Sequence, residues 1–127
     1  MTQASAIDAC SAQLRQLLGN DFVHDDVATR QFFSTDIFYV AEPCALVIAP
    51  GNTEELGAAV AITTEAGLAV VPRGGGMSYT RGYLGGPGSV LIDTQRMNRA
   101  SCSSRKYIKL QKTTVFAAGL FSWKIMT

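Results

Sequence analysis

The feature that most constrains this chain is the stretch Pro72-Arg73-Gly74-Gly75-Gly76-Met77-Ser78, set directly behind the apolar run Leu68-Ala69-Val70-Val71. Consecutive glycines let a backbone approach a ligand and turn freely, because no Cβ stands in the way. Their N–H groups can converge into a nest for an anion. Ser78 adds a hydroxyl donor and Arg73 a positive charge. A loop that starts where a buried strand ends lies where ligands collect in parallel α/β sheets. The glycine run goes on through Gly82, Gly85, Gly86 and Gly88.

Two commoner phosphate cradles are excluded. A P-loop needs Gly-Lys followed by Ser or Thr, and the chain has no such triplet. The dinucleotide fingerprint needs a third glycine three residues after the second, opening a helix. Counted from Gly76 that position is Tyr79, and Gly82, Gly85, Gly86 and Pro87 oppose a helix. By themselves three glycines in a row are a weak signal, and an ordinary flexible turn between strands is the alternative.

The flanking residues narrow the reading. Ala45-Leu46-Val47-Ile48-Ala49 is a short continuous apolar run, as in a strand buried on both faces. Pro50-Gly51-Asn52 makes a turn, and Thr53 is expected to cap the next helix, with Glu54 and Glu55 favoured in its first turn by the helix dipole. Leu56, Ala59, Val60 and Thr63 give that helix a buried stripe, and Gly67 ends it. Leu68–Val71 reads as a second buried strand and Val90-Leu91-Ile92-Asp93 as a third. Strand, helix and strand in this order fit a right-handed βαβ unit with parallel strands.

Nearer the N-terminus, Ser5 and Asp8 can open a helix as a capping-box-like pair. Ile7, Cys10, Leu14, Leu17 and Leu18 then share one helical face, and Gly19-Asn20 stops it. Asp21 to Glu42 reads as a short helix and loops.

A chain of 127 residues holds one modest domain. With 47% hydrophobic and 17% charged residues it can build a packed core, which excludes wholesale disorder. The net charge of +1 hides a split. Residues 1–93 carry four basic against ten acidic side chains, a net of −6, and residues 94–127 carry seven basic and no acidic ones, a net of +7. Cys10, Cys44 and Cys102 form no CxxC pair, so neither a disulfide framework nor a zinc site is expected, and no metal site. They read as buried or idle thiols. No basic stretch followed by a long apolar run opens the chain, and no apolar run approaches the ~20 residues that span a bilayer. The expectation is a soluble, cytoplasmic protein.

From Pro43 to Met97 the pattern resembles the PCMH-type FAD-binding domain of the vanillyl-alcohol oxidase superfamily. The residues that carry the resemblance are Pro43 to Pro50, Thr53-Glu54-Glu55, Val70 to Ser78, the glycines up to Gly88, and Val90-Leu91-Ile92-Asp93 with Arg96-Met97-Asn98. Asp36 adds weaker support from upstream. The resemblance implies a fold of two α/β subdomains with FAD held between them, so the chain is expected to be α+β: a truncated first subdomain, a small parallel βαβ sheet flanked by helices. It assigns Arg73, Gly74, Gly75, Gly76, Met77 and Ser78 to the loop around the FAD pyrophosphate. Some members join the flavin to a histidine just before the serine of this loop. Here that position is Met77, a thioether, so the resemblance implies FAD held without a covalent bond. His24, the only histidine, lies far from the loop in sequence and reads as a surface or structural residue.

Members of this superfamily oxidise alcohols, hydroxy acids, sugars or amines by hydride transfer to the flavin, and an electron acceptor then reoxidises it. Their catalytic acid or base usually comes from a later substrate domain, so no catalytic residue is named. Asp36, Tyr79 and Tyr83 stand near the loop, and structural roles come first for each. A nicotinamide-dependent reductase, like the cell-wall precursor dehydrogenase, fits the same pattern. The reading from another class is a non-catalytic nucleotide- or phosphate-binding module.

The expected organisation is an N-terminal helical segment (1–42), a partial FAD-binding domain (43–99) and an atypical basic tail (100–127). After Arg99 the chain departs from the family pattern: a short acidic turn and a strand are replaced by Ala100-Ser101-Cys102-Ser103-Ser104-Arg105-Lys106. Val115, Ala118-Gly119 and Trp123 echo the family ending only loosely. The acid-free tail reads as the frameshifted or misjoined end of a truncated gene. A nucleic-acid-binding arm is the lesser reading of Arg105, Lys106, Lys109 and Lys112, since stacking aromatics are not regularly interleaved. No nucleic acid partner is expected.

Overall fold

The computed structural model describes residues 2–98, together with the backbone of 100–104 and 107–110. The basic side chains of the tail, the Cys102 thiol and the echo at Val115 to Trp123 lie outside what the structure describes.

Helix α1 (Gln3–Leu18) starts three residues earlier than the Ser5–Asp8 reading. Its cap is Thr2, whose hydroxyl accepts from the Ser5 N–H at 3.3 Å. Cys10, Leu14 and Leu18 are its buried stripe, and Gly19 closes it. A 3-10 turn (Asn20–Phe22) leads into β1 (Val23–His24), a two-residue strand that no periodicity could announce. His24 belongs to it and pairs with Val47. Helix α2 (Val27–Phe33) is capped by Asp26, whose carboxylate accepts from the Thr29 N–H at 2.8 Å.

Strand β2 (Leu46–Ile48) is followed by α3 (Thr53–Glu65). The cap of α3 is Asn52, one residue before the expected Thr53, and it accepts from the Glu55 N–H at 2.8 Å. The Glu55 carboxylate answers by accepting from the Gly51 N–H at 2.7 Å, close to a capping box. Gly67 lies just beyond the end of the helix, as expected.

Strands β3 (Ala69–Arg73) and β4 (Ser89–Asp93) complete a four-stranded mixed sheet in the order β1-β2-β4-β3. β2, β4 and β3 run parallel, and β1 pairs antiparallel with β2. β4, although the last of these four in sequence, lies between the two strands that α3 connects. This corrects one expectation. β3 is not a buried strand: Ala69 is exposed and the rest only half-buried, because β4 occupies the central place and leaves β3 one neighbour among the described residues. Beyond the sheet, β5 (Ala100–Ser104) and β6 (Tyr107–Leu110) form an antiparallel pair.

Strand alternation divides the core in two. Leu46, Ile48, Val90 and Ile92 pack with Cys10, Leu14, Leu18 and Ala59 of α1 and α3. Val47 and Leu91 point to the other face, against Cys44 and Phe33 of α2. Both faces are covered, which is why the strands read as continuous apolar runs. Cys10 and Cys44 are free, buried thiols, and burial pushes both upward from the usual thiol range.

Candidate functional site

The glycine-rich loop leaves the C-terminal end of β3 and returns over the α2 face of the sheet. Arg73 and Val71, two residues apart, share that face. The Arg73 guanidinium lies over three rings, 4.7 Å from the centroid of Phe33, 4.9 Å from Tyr83 and 5.4 Å from Phe32. Its Nε and Nη1 are buried and find no acceptor among the described residues. Stacking on aromatic faces suits a guanidinium, but two buried N–H groups without an acceptor are costly.

Gly76 sits on that side chain. A Cβ there would meet Nη2 of Arg73 at 2.4 Å, and its φ is +72°. Only glycine combines that backbone with that contact. Gly85 is needed for a different reason: a Cβ would stand 2.4 Å from Cγ2 of Val71 and 2.8 Å from Cβ of Ser89. Gly75 has neither constraint, since a Cβ would meet nothing within 4 Å.

The second half of the loop is tied down. The buried Ser78 hydroxyl oxygen accepts from the N–H groups of Thr80 (3.2 Å) and Gly82 (3.0 Å). The Tyr83 hydroxyl donates to the Gly76 carbonyl at 2.9 Å. Burial pushes its pKa up from the ordinary phenol range. Asp36 accepts from Phe38 and Tyr39 on one carboxylate oxygen and from Arg81 on the other. The N–H groups of Thr80, Arg81, Gly82 and Leu84 therefore all have acceptors. From Gly74 to Met77, by contrast, no backbone N–H donates to any described residue.

Of the residues expected at the site, Arg73, Gly74, Gly75, Gly76 and Met77 come together around these free donors. Ser78 stands beneath, as a brace. Asp36 and Tyr83 hold the loop from below, while Tyr79 is half-exposed and packs on Phe38 with ring centroids 5.6 Å apart. The sequence did not reveal the Asp36–Arg81 and Tyr83–Gly76 ties, which span 45 and 7 residues and follow no local pattern. Among the described residues, no cluster of His, Cys, Asp and Glu could hold a metal ion, and no helix is long and apolar enough to cross a membrane.

Asp36 has an acid-stability consequence. Its burial alone would raise the carboxyl, but the three N–H donors and the Arg81 guanidinium outweigh burial and hold it below its ordinary value. The Thr29 hydrogen bonds lower Asp26 likewise. A folded value below the unfolded one adds stability above the unfolded value of ~4, and that stability is lost as pH falls through the folded value. The urea midpoint is therefore expected to hold from neutral pH down to about 5 and to drop below about 4. In D36N and D26N the drop should be shallower, and an unchanged slope in both would contradict the assignment.

Comparison with solved structures places this architecture. Alkyldihydroxyacetonephosphate synthase superposes with a TM-score of 0.67 at 21% identity, over 77% of this chain and 20% of that one. The 4-ethylphenol oxidase of Gulosibacter chungangensis, in complex with isoeugenol, gives 0.65 at 25% identity, over 83% and 22%. The glucooligosaccharide oxidase of Acremonium strictum, with its 6-S-cysteinyl, 8α-N1-histidyl FAD, gives 0.57 at 26% identity, over 81% and 21%. The chain thus spans about one fifth of the length of each. Among curated proteins none matches the chain. The sequence model of an FAD binding domain matches residues 43–118, past Arg99 and over more than half of the chain. The superpositions and this match agree: the chain belongs to the FAD-binding domain family of the PCMH type.

Proposed function

We propose that the loop Arg73–Ser78 holds the pyrophosphate of a non-covalently bound FAD, and that the chain is the N-terminal part of a flavin-dependent oxidoreductase. The observation that carries this reading is the row of N–H groups from Gly74 to Met77 left free by the described residues, beside a half-buried arginine two of whose donor nitrogens are buried and unmet. Such a row suits an anion with several oxygens. Gly75 supports it, since neither packing nor backbone in the loop itself requires a glycine there. FAD would supply the hydride acceptor, and the substrate would be an alcohol, hydroxy acid or sugar. The chain's own residues bind and orient: the Gly74 to Met77 N–H groups and Arg73 hold the pyrophosphate, and Ser78 keeps the loop in shape. Met77 stands where covalent relatives have histidine, and its exposed thioether forms no bond to a flavin methyl group.

Gly75→Ala tests this directly. Its Cβ would project into the space an approaching anion occupies, while the fold accepts it. FAD affinity is expected to fall about tenfold, ~1.4 kcal/mol. The unfolding free energy should stay within about 0.5 kcal/mol of wild type. Acid precipitation of the loaded protein should leave the flavin in the supernatant. Retained yellow pellet would overturn the non-covalent assignment. A chain that takes inorganic pyrophosphate or ADP as tightly as FAD would instead be a phosphate-binding module.

A further inference from the structure

We infer that Asp36 is the positioning residue of the glycine-rich loop: through the Arg81 N–H it holds a non-glycine residue in the left-handed conformation that fixes how the second half of the loop lies against the anion site. Its bearing on FAD rests on the function proposed above.

Arg81 is the described non-glycine residue with positive φ, at +59°. A side chain in that region is strained, and the strain persists only where surroundings impose it. Here the imposing contact is the 3.1 Å bond from the Arg81 N–H to one Asp36 oxygen, made across 45 residues. The other oxygen is occupied by the N–H groups of Phe38 (2.9 Å) and Tyr39 (2.7 Å), which folds residues 36–39 into a tight turn. Asp36 is only 8% exposed, so these bonds form away from bulk water. The turn in turn presents Tyr39, whose ring centroid lies 3.8 Å from the Arg81 guanidinium carbon. Arg81 is thus gripped at its backbone by Asp36 and at its side chain by Tyr39, the two ends of one turn.

The grip reaches the site through short links. Arg81 lies between Thr80 and Gly82, whose N–H groups both bind the Ser78 hydroxyl oxygen. Its carbonyl accepts from Leu84, next to Tyr83, which holds the Gly76 carbonyl. Releasing Arg81 therefore loosens the brace under Ser78 and the clasp on Gly76 together. The charged and titratable groups facing Asp36 are Arg81 and Tyr83, with Arg73 against the Tyr83 ring.

The test uses the whole chain, FAD as probe and amide hydrogen exchange as a ligand-free readout. In D36N one acceptor oxygen becomes an NH2 donor. FAD affinity is expected to fall about tenfold, the loss of one charge-assisted hydrogen bond. Exchange should quicken at residues 78–83. Adding Arg81→Gly to D36N should recover about fivefold or more of the affinity and restore protection, because glycine adopts positive φ without strain. Adding Arg81→Ala, which keeps the Cβ, should recover neither. That split separates positioning from a merely structural loss. A D36N effect confined to residues 36–40, or equal behaviour of Gly and Ala at position 81, overturns the inference. Should D36N not fold, the wild type decides: the Arg81 amide resonance must titrate together with the Asp36 carboxyl, and a flat Arg81 amide overturns it. A wild type that ignores FAD refutes the proposed function, while the exchange pattern still judges the role of Asp36.

Discussion

Ile48→Ala is expected to lower the free energy of unfolding by about 2–5 kcal/mol, the range for a large side chain removed from a rigid core. Ile48 is fully buried in β2, paired with Val23 on one side and Ile92 on the other. Its side chain lies in the cluster that joins the sheet to α1 and α3. Both helices are tied to their ends by caps, so they have little freedom to collapse into the gap. A domain of this kind has only about 5–15 kcal/mol in all, so the variant should approach its unfolding threshold near body temperature. Val47→Ala is the comparison on the opposite face, where the loss of two methylene equivalents is worth about 1.6 kcal/mol. Urea unfolding of both variants measures the difference. Equal losses would mean that α1 and α3 do not cover the sheet as described.

Gly85→Ala is the second large effect, about 1–3 kcal/mol from overpacking. The added Cβ would overlap Cγ2 of Val71 and both Cβ and Oγ of Ser89. Ser89 is fully buried in the central strand and cannot withdraw, and its hydroxyl already donates to the Gly86 carbonyl at 2.6 Å. The loop must therefore lift away from β3. Since Tyr83, two residues earlier, clasps Gly76, the lift is transmitted to the free N–H row. FAD affinity should fall along with stability, whereas Gly75→Ala changes affinity alone. Paired unfolding and FAD titrations read this contrast, and a Gly85→Ala chain of wild-type stability would mean that the loop does not pack on β3 and β4.

Much of the fold was legible because period and burial coincide. Cys10, Leu14 and Leu18 recur at helical spacing and are the buried stripe of α1. The apolar runs of β2 and β4 are buried throughout. Caps were misplaced by one to three residues, since Thr2, Ser5, Asn52 and Thr53 all have capping side chains and only the backbone decides which one is used. β1 was missed because two residues carry no periodicity.

By itself the sequence determined that this chain makes a βαβ unit of parallel strands with a glycine-rich loop at a strand end, since apolar runs, capping residues and glycines act locally. The tertiary structure alone decided three things. It put β4 between β2 and β3, because strand order follows from packing α3 across the sheet. It set the Arg73 guanidinium among the rings of Phe32, Phe33 and Tyr83 beside Gly76, because β3 alternation puts it on the α2 face. It bound the loop to Asp36, because a buried carboxylate must find donors wherever the fold brings them. The loop's composition was written in the chain, while its shape depends on a residue 45 positions away.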